Sequence, residues 1–411
     1  MMPGALLMLH WAPRPSGWGI WGRCLLAALA LSVALAAEAA SEVRIAHIYS
    51  KTGPLAQYGR QTATGFMMGL EYATGGTMTV AGRRLVVSES DDQGQPELGK
   101  ALLTAAYTEG QADLAVGPTS SGVALAMLPV AQAQKKILIV EPAVADVITG
   151  ERWNRYIFRT GRNSSQDAVS NALALDREGV SIVTLAQDSA FGRDGVAAFR
   201  DAVRQAKLVH EEYLPVGTTD FGQAGRRILE RLHDRPGRKV VWVLWAGAGN
   251  PYGIMDADFK AQGIEMASGG NTLAAMVQYN RLPGMQGATY YYFAFARTTA
   301  NMWLVTQHYL RYQDPPDLFT AGGFAAAMAV VTALQNTQGD TDTERLIRTM
   351  EGMRFDTPKG PMQFRAQDHQ AMQSMYHFRI PTGATPGRIP DLKLVREIRP
   401  EEMHIPIRNK R

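Results

Sequence analysis

Short apolar runs alternate with longer segments of helical periodicity along the chain from Val43 onward. Apolar runs of about four to eight residues predict buried strands, and apolar positions three and four apart predict the helices that cover them. The first strands are predicted at 44–49, 85–89, 114–117 and 137–140, with helices at 59–73, 97–109 and 123–133. This alternation is typical of βα units around a parallel sheet.

The same rhythm starts again after Phe158-Arg159-Thr160. The second series comprises helices at 165–178, 192–205, 221–233 and 254–262, and strands at 182–187, 209–214 and 240–245. Two successive open sheets account for this series better than one large sheet. We therefore predict an α/β fold of two Rossmann-like lobes, each built on a parallel sheet.

The last third of the chain breaks the rhythm. It contains an aromatic, β-rich stretch at 288–296, helices at 301–312 and 321–335, and a predicted hairpin that pairs 362–364 with 374–379. A chain that returns to its first sheet needs such crossings, which we place near Thr160, Ala288 and Phe355. The predicted first lobe is 42–160 plus 289–354, the second is 161–288 plus 355–400, and 401–411 is a basic tail. A cleft lies between lobes joined by such a three-crossing hinge.

The N-terminal segment has the pattern of an export signal. Arg14 and Arg23 precede an apolar run at 25–37, and Ala37-Glu38-Ala39 offers small residues for cleavage. The run is shorter than the about 20 apolar residues of a membrane anchor. We predict a signal peptide at 1–39 and a soluble, periplasmic mature protein. Cys24, the only cysteine, lies at the front of the run, so lipidation, disulfides and thiol chemistry are not expected.

Size and charge narrow the function classes. About 370 residues follow the signal, more than a single core usually organises. The formal net charge is +4, and basic residues are scattered except at the C-terminal Arg408-Asn409-Lys410-Arg411. This balance gives no indication of a nucleic-acid surface, and we expect a monomer.

The turns that follow the strands are the candidate ligand sites. In open α/β sheets ligands bind beyond the carboxyl ends of the strands, where helix N-termini present free N–H groups. These turns are 50–54, 117–122, 141–146, 188–192 and 246–250. Their Gly, Pro, Ser and Asn content suits ordinary turns as well, so each one taken alone is a weak signal.

Taken together, the turns resemble those of the leucine/isoleucine/valine-binding family of periplasmic proteins, which have the type I bilobed fold. The segments that carry the resemblance, in order, are Gly53-Pro54-Leu55-Ala56-Gln57-Tyr58-Gly59, Asp91-Asp92-Gln93 with Pro96, Gly117-Pro118 with Ser120-Ser121, Pro142-Ala143, Phe158-Arg159-Thr160 with Ser164-Ser165-Gln166-Asp167, and Asp188 with Phe191-Gly192. These segments follow one another in the family's order from Gly53 to Gly192. The resemblance implies a binding protein that delivers a small molecule to an inner-membrane ABC permease.

The resemblance also implies roles for matched positions. The hydroxyl of Ser121, or of its neighbour Ser120, is expected to bond a ligand carboxylate. The 143–145 backbone, Ala143 through Val144 to Ala145, is expected to complete that site from the first lobe. Tyr58 is expected at the entrance. Phe191 and the turn containing Ala248 are expected to close the cavity from the second lobe.

Three departures from the family pattern bear on the ligand. Ala145 stands where amino-acid binders usually have Thr or Ser, and Phe191 stands where Tyr is common. The position of the acid that pairs with a ligand ammonium aligns with Asn271 or Thr272, neither of which carries a negative charge. Because a buried ammonium without a partner is costly, we expect a carboxylate without an amine, such as an aromatic acid or a branched 2-oxo acid.

Other side chains near these turns allow alternatives for the countercharge and for the ligand contacts. Another acid, Glu141 or Asp146, is a candidate to replace the missing countercharge. Trp245 and Tyr252 are candidates, with Tyr58 and Phe191, to stack on a ligand ring, although core packing is the more common role for a residue such as Trp245. An amino-acid ligand and a sensor or co-receptor of the same fold, of the amide or urea type, are therefore the alternative functions.

Enzyme chemistry is not indicated. Ser120 lacks the preceding glycine of a nucleophile elbow, and no HExxH pattern occurs. His369 and His377 have no third ligand nearby, and the pair Asp91-Asp92 suits a helix N-terminus better than a metal. The glycines of 247–253 depart from the dinucleotide spacing, and no phosphate loop is present. We predict a protein that is not an enzyme and that has no cofactor or metal.

Overall fold

The computed structural model describes residues 42–247, 249, 251–254, 257–269, 271–385 and 387–410. The predicted signal at 1–39 lies outside these residues. The first part of the chain alternates strands with helices. Its elements are β1 (Glu42–Tyr49), α1 (Ala56–Ala73), β2 (Thr79–Val80), β3 (Arg83–Asp91), α2 (Pro96–Thr108), β4 (Leu114–Val116), α3 (Ser121–Gln134), β5 (Ile137–Val140) and β6 (Ile157–Arg159).

These strands form one sheet in the order β2-β3-β1-β4-β5-β6. The strands β1, β4, β5 and β6 are parallel, with Ile45 opposite Leu114 and Leu114 opposite Ile137. Every residue of β5 is buried. A parallel strand covered by helices on both faces requires such a continuous apolar run, which is why the sequence predicted β5 with its observed bounds.

The second part of the chain repeats the alternation. Its elements are α4 (Ser164–Leu175), β7 (Val180–Gln187), α5 (Ala190–Ala202), β8 (Lys207–Leu214), α6 (Gly222–Leu232), β9 (Arg238–Leu244), α7 (Ala257–Ala261), β10 (Ile264–Ser268), α8 (Leu273–Tyr279) and β11 (Gln286–Thr289). Of the predicted β-rich stretch 288–296, only the first two residues belong to a strand. The next three, Tyr290, Tyr291 and Tyr292, are buried side chains of a connection.

The last part contributes helices that pack on the first part, a separate three-stranded sheet and two strands of the second sheet. Its elements are α9 (Thr299–Tyr312), α10 (Leu318–Asn336), α11 (Thr343–Met350), β12 (Arg354–Thr357), β13 (Gly360–Phe364), β14 (Ala371–Met372), β15 (Met375–Arg379), β16 (Lys393–Ile398) and α12 (Pro400–Met403). Helix α10 is long and apolar enough to cross a membrane by length and composition, but 83% of it is buried inside the protein. It is a core helix that packs on α1.

The second sheet has the order β16-β15-β11-β10-β9-β7-β8. Its strands are parallel from β8 to β11, and β15 and β16 are added antiparallel. We call the first sheet with its helices the first lobe, and the second sheet with its helices the second lobe. The two parallel-dominated sheets confirm the predicted α/β fold class.

The predicted hairpin of 362–364 with 374–379 is wrong. Strand β13 pairs with β12 and β14 in a separate three-stranded sheet, whereas β15 pairs with β11 and β16. Phe355, Phe364 and Ala371 belong to the first lobe's hydrophobic core. The chain therefore leaves the first lobe after Ala371 rather than near Phe355, because these apolar side chains are buried against α10 and its neighbours.

Candidate functional site

A cavity of about 400 Å³ lies where the carboxyl ends of the strands of both sheets face each other. Each of the five turns singled out in the sequence contributes to its wall. The lining residues are Pro54, Leu55, Tyr58, Gln93, Gly94, Thr119, Ser120, Ser121, Gly122, Pro142, Ala143, Val144, Arg162, Gln187, Ser189, Ala190, Phe191, Val216, Gly217, Trp245, Ala246, Gly269 and Phe319. The cavity thus occupies the usual ligand position of an open α/β sheet.

The N-terminus of α3 forms one wall. The turn before it is tight, since Gly117 has a φ of +124° and a Cβ there would lie 1.9 Å from the Ile48 carbonyl oxygen. Ser120 is the N-cap residue, and its side chain makes no capping hydrogen bond. The first N–H groups of a helix have no partner within the helix, so this wall favours an anion.

The Ser121 hydroxyl is held at this wall by the neighbouring turn. Its Oγ accepts hydrogen bonds from the backbone N–H groups of Val144 and Ala145, each at 3.2 Å. With both acceptor positions occupied, the hydroxyl proton is left to donate. Ser121 is therefore oriented as a hydrogen-bond donor to an acceptor inside the cavity.

Six of the predicted site residues come together in the lining, namely Tyr58, Ser120, Ser121, Ala143, Val144 and Phe191. Ala145 does not line the cavity. Its N–H is used by Ser121, and its carbonyl accepts from Arg159 at 2.6 Å. Ala248 lies outside the described residues.

The structure places Asn271 and Thr272 away from the cavity lining. The Asn271 amide donates to the carbonyls of Ser268 and Ala288, at 2.9 and 2.8 Å. The Thr272 hydroxyl caps α8 by accepting from the Ala275 N–H. Both side chains are therefore hydrogen-bonded within the second lobe, and neither is among the residues that line the cavity.

Aromatic side chains form the apolar walls. The Tyr58 ring stacks on Phe319, with ring centroids 4.4 Å apart. Trp245 lines the cavity and contacts Phe221 edge-on at 5.0 Å, so it combines the packing and the cavity roles. Tyr252 is not in the lining, and its hydroxyl bonds Ser268 and Tyr279.

Arg162 is a lining residue that the sequence analysis missed. Its Nε donates to both carboxylate oxygens of Asp167, at 3.0 and 2.9 Å, and its guanidinium lies 5.0 Å from the centre of the Tyr290 ring. Burial opposes the charge, but Asp167 keeps the pKa of Arg162 above its ordinary value. The only sequence signal was an arginine beside the N-cap of α4 with an acid five residues later.

The two acids that were candidate countercharges are occupied elsewhere. Glu141 is buried and accepts from the Thr160 hydroxyl at 2.9 Å, and burial raises its pKa. Asp146 accepts from the backbone N–H and the hydroxyl of Ser165. Among the residues that the structure describes, no Asp or Glu lines the cavity.

The histidines weighed as metal ligands are packed in the protein. The His369 ring is buried, stacks on Phe158 at 4.0 Å and contacts Glu351 through Nε2. Within residues 42–247 and the later described ranges, no group of three or more His, Cys, Asp or Glu side chains could hold a metal ion. Asp91 bonds the 51–52 backbone, and Asp92 bonds Ser50 at 2.6 Å.

Comparison with known proteins agrees with this geometry. The family model described as periplasmic binding protein matches residues 42–385. The chain is 59% identical to an ABC-type branched-chain amino acid transporter from Rhodopseudomonas palustris CGA009, whose structure it matches with a TM-score of 0.79 over 90% of this chain and 100% of that one.

More distant relatives share the fold. The Leu/Ile/Val-binding protein homolog 6 of Brucella abortus (strain 2308) is 23% identical over 370 residues, which are 85% of this chain and 91% of that protein. A solute-binding protein of an ABC transporter from Rhodopseudomonas palustris BisB5, solved with 3,4-dihydroxybenzoic acid, is 23% identical. It matches with a TM-score of 0.75 over 88% of this chain and 98% of that one.

Proposed function

Because the chain belongs to the periplasmic binding protein family and is a solute-binding protein of the ABC-transporter type, we propose that it captures a small carboxylate without an ammonium group. The favoured classes are aromatic acids and branched 2-oxo acids. In this proposal the protein is exported by its 1–39 signal, acts in the periplasm as a monomer and catalyses nothing. It delivers its ligand to an inner-membrane permease.

The observation that carries the proposal is the set of charges around the cavity. Its polar wall combines the N-terminus of α3 with the oriented Ser121 hydroxyl, while the described lining contains no carboxylate. This arrangement attracts an anion and offers no partner to a cation. Burying an unpaired ammonium costs several kcal/mol, so a zwitterion is disfavoured.

The remaining wall supports an apolar body. Leu55, Phe191, Val216, Trp245 and Phe319 surround the cavity with aliphatic and aromatic surface. A volume of about 400 Å³ suits a small ring or a branched chain rather than a peptide. Flat rings gain additional contact with aromatic side chains, which favours an aromatic acid.

A branched-chain amino acid is the second candidate. The relative that is 59% identical carries the name of a branched-chain amino acid transporter, and the Brucella relative is named for Leu, Ile and Val. A ligand of that class needs a partner for its ammonium. Carbonyl oxygens of the turns would have to supply it, because the described lining has no acid.

Ligand release and a matched ligand pair test the proposal. The mature protein is denatured after purification, and the released ligand is identified by mass spectrometry. Calorimetry then compares leucine with 4-methyl-2-oxopentanoate, which has the same carbon skeleton without the ammonium. We expect an organic acid in the released fraction and binding of the oxo acid or of benzoate, with leucine at least about 100-fold weaker. Release of leucine, isoleucine or valine would refute the proposal.

The geometry also supports a closing motion. The chain passes between the lobes near Thr160, near Ala288 and after Ala371, and few residues in such crossings need to change conformation. Ligand that binds to the first lobe would then favour the closed form, and the permease would recognise that form. In this proposal, lobe closure is the change by which the permease recognises the loaded protein.

A further inference from the structure

The Arg162 side chain lines the cavity and has hydrogen-bond donors without a partner among the described residues. Only 5% of the side chain is exposed, and it lines the cavity. Nε is committed to Asp167. The terminal nitrogens Nη1 and Nη2 have no hydrogen-bond partner among the described residues. Buried donors without a hydrogen-bond partner are unfavourable, so a ligand with an acceptor at this point would bind more tightly.

The charged groups around Arg162 indicate whether that acceptor is charged or neutral. Arg162 is paired with Asp167, and the buried Lys359 and Glu141 interact electrostatically with each other and with Arg162. Lys359 itself donates to Gln373 at 2.7 Å. Arg162 thus already has a countercharge in Asp167, the acid to which its Nε is bonded. A second carboxylate placed here would therefore lack a countercharge, whereas a neutral oxygen needs only the donors.

The position of Arg162 in the sheet separates it from the carboxylate wall. Ser121 follows β4 and Arg162 follows β6, with β5 between them. Two strand spacings amount to about 10 Å between the two turns.

We propose that Arg162 forms a second subsite that binds an uncharged oxygen of the ligand, a ring hydroxyl or oxo group, on the side away from its carboxylate. This inference rests on the proposed function and selects within it an aromatic acid with an oxygen substituent. Asp167 is a positioning residue, because its two oxygens fix the guanidinium through Nε and leave Nη1 and Nη2 for the ligand.

A ligand pair and two variants test the subsite. Calorimetry on the mature protein compares benzoate with 4-hydroxybenzoate in the wild type, in Arg162→Lys and in the double variant Arg162→Met/Asp167→Asn. The lysine keeps the charge beside Asp167 but loses the planar fork, and the double variant removes both charges together. We expect 4-hydroxybenzoate to bind the wild type about tenfold more tightly than benzoate. In both variants this preference should fall below about twofold. The affinity for benzoate itself should change by less than about threefold.

The outcomes separate the possible roles of Arg162. An equal loss of affinity for both ligands in the variants would show that Arg162 binds the carboxylate. An unchanged preference for 4-hydroxybenzoate would show that Arg162 binds neither group. Either result would overturn the subsite. Terephthalate binding more tightly than 4-hydroxybenzoate would overturn the choice of an uncharged oxygen. If the wild type binds leucine and neither aromatic acid, the proposed function itself is wrong, whatever the variants show. An unchanged melting temperature of the lysine variant would show that this variant is folded.

Discussion

The hydroxyl of Tyr58, on α1 of the first lobe, accepts a hydrogen bond of 2.9 Å from the backbone N–H of Gly247, in the turn after β9 of the second lobe. Stacking on Phe319 holds the Tyr58 ring in place. A side chain at position 247 would meet the Pro54 carbonyl, since a Cβ there would lie 2.8 Å from its oxygen. This hydrogen bond therefore joins the two lobes beside the cavity, and it is lost when the lobes separate.

Replacing Tyr58 by phenylalanine removes this hydrogen bond and keeps the stacked ring. One neutral hydrogen bond contributes about 1 kcal/mol, so we expect ligand to bind about fivefold more weakly, mainly through faster dissociation. Stopped-flow displacement measures the dissociation rate. Tyr72→Phe is the control, because Tyr72 is on the same helix and packs on Trp303 and Phe324 away from the cavity. Equal dissociation rates in the two variants would contradict a closing role for Tyr58.

Replacing Ser121 by alanine removes a donor to the ligand and the acceptor of two backbone N–H groups, those of Val144 and Ala145. Unpaired buried N–H groups cost about 1–3 kcal/mol each, so we expect carboxylate affinity to fall at least about tenfold and the melting temperature of the free protein to fall by a few degrees. Calorimetry and thermal unfolding measure the two effects.

Ser120→Ala is the matched control for that substitution. The Ser120 side chain lines the cavity but makes no capping hydrogen bond. Its removal is expected to change carboxylate affinity by less than about threefold and to leave the melting temperature unchanged. The reverse order of the two effects would transfer the carboxylate contact from Ser121 to Ser120.

The part of the site that could be predicted from the sequence is the part made by local chemistry. Gly117-Pro118 and Ser120-Ser121 form their turn because of residues within a few positions, so their place at a strand end followed from the sequence. Arg162 could not be assigned to the cavity in this way. Its direction depends on contact with Tyr290, which lies far along the chain in a second crossing.

The fold shows the same division. Strand β5 was predicted with its observed bounds because its burial is encoded in four consecutive apolar residues. The pairing of β13 was not predicted, because the alternation of apolar and polar residues identifies a strand but not its partner. The carbonyl contacts of Asn271 were not predicted for a related reason, since a polar side chain after a strand can equally face a ligand or bond carbonyls such as that of Ala288.

The C-terminal tail connects the two lobes beside the cavity turn. Arg408 Nη2 lies 2.7 Å from the Asp201 carboxylate on α5, and its Nε lies 3.9 Å from that of Asp146. Asp146 also donates its backbone N–H to Asp194, on α5, at 2.6 Å. The guanidinium therefore lies among acids of both lobes and reduces their repulsion.

Arg408→Met is expected to accelerate ligand dissociation. The pair is partly exposed, with 33% of the Arg408 and 55% of the Asp201 side chain accessible, so the effect should be at most about fivefold and should shrink in high salt. The dissociation rate is measured in low and high salt. Arg399→Met serves as the control, because Arg399, just before the tail, pairs with Glu402 rather than with either lobe's cavity turns. A dissociation rate equal to that of the control at low salt would contradict a connecting role.

The Asp317 carboxylate predicts a pH dependence of stability. It is buried at the start of α10 and accepts from the N–H of Leu318 and, across the lobes, from that of Leu273. Burial raises the pKa of Asp317 from 3.8 to about 6, although these N–H donors oppose the shift. A raised pKa means that the folded protein holds the proton more tightly than the unfolded chain. The group's stabilising contribution is therefore complete below pH 3.8 and is lost as the pH rises through 6.

Asp317→Asn keeps an acceptor oxygen and removes this titration. We expect the wild type to gain about 1 kcal/mol of unfolding free energy relative to the variant when the pH is lowered from 7 to 5, measured by denaturant unfolding at both values. Asp176→Asn is the control. Burial of Asp176 is outweighed by the N–H groups of 204–206, which lower its pKa below 3.8, so it is ionised at both pH values and its difference from wild type should stay constant. A constant difference for Asp317→Asn as well would show that its carboxylate is solvated in the folded protein.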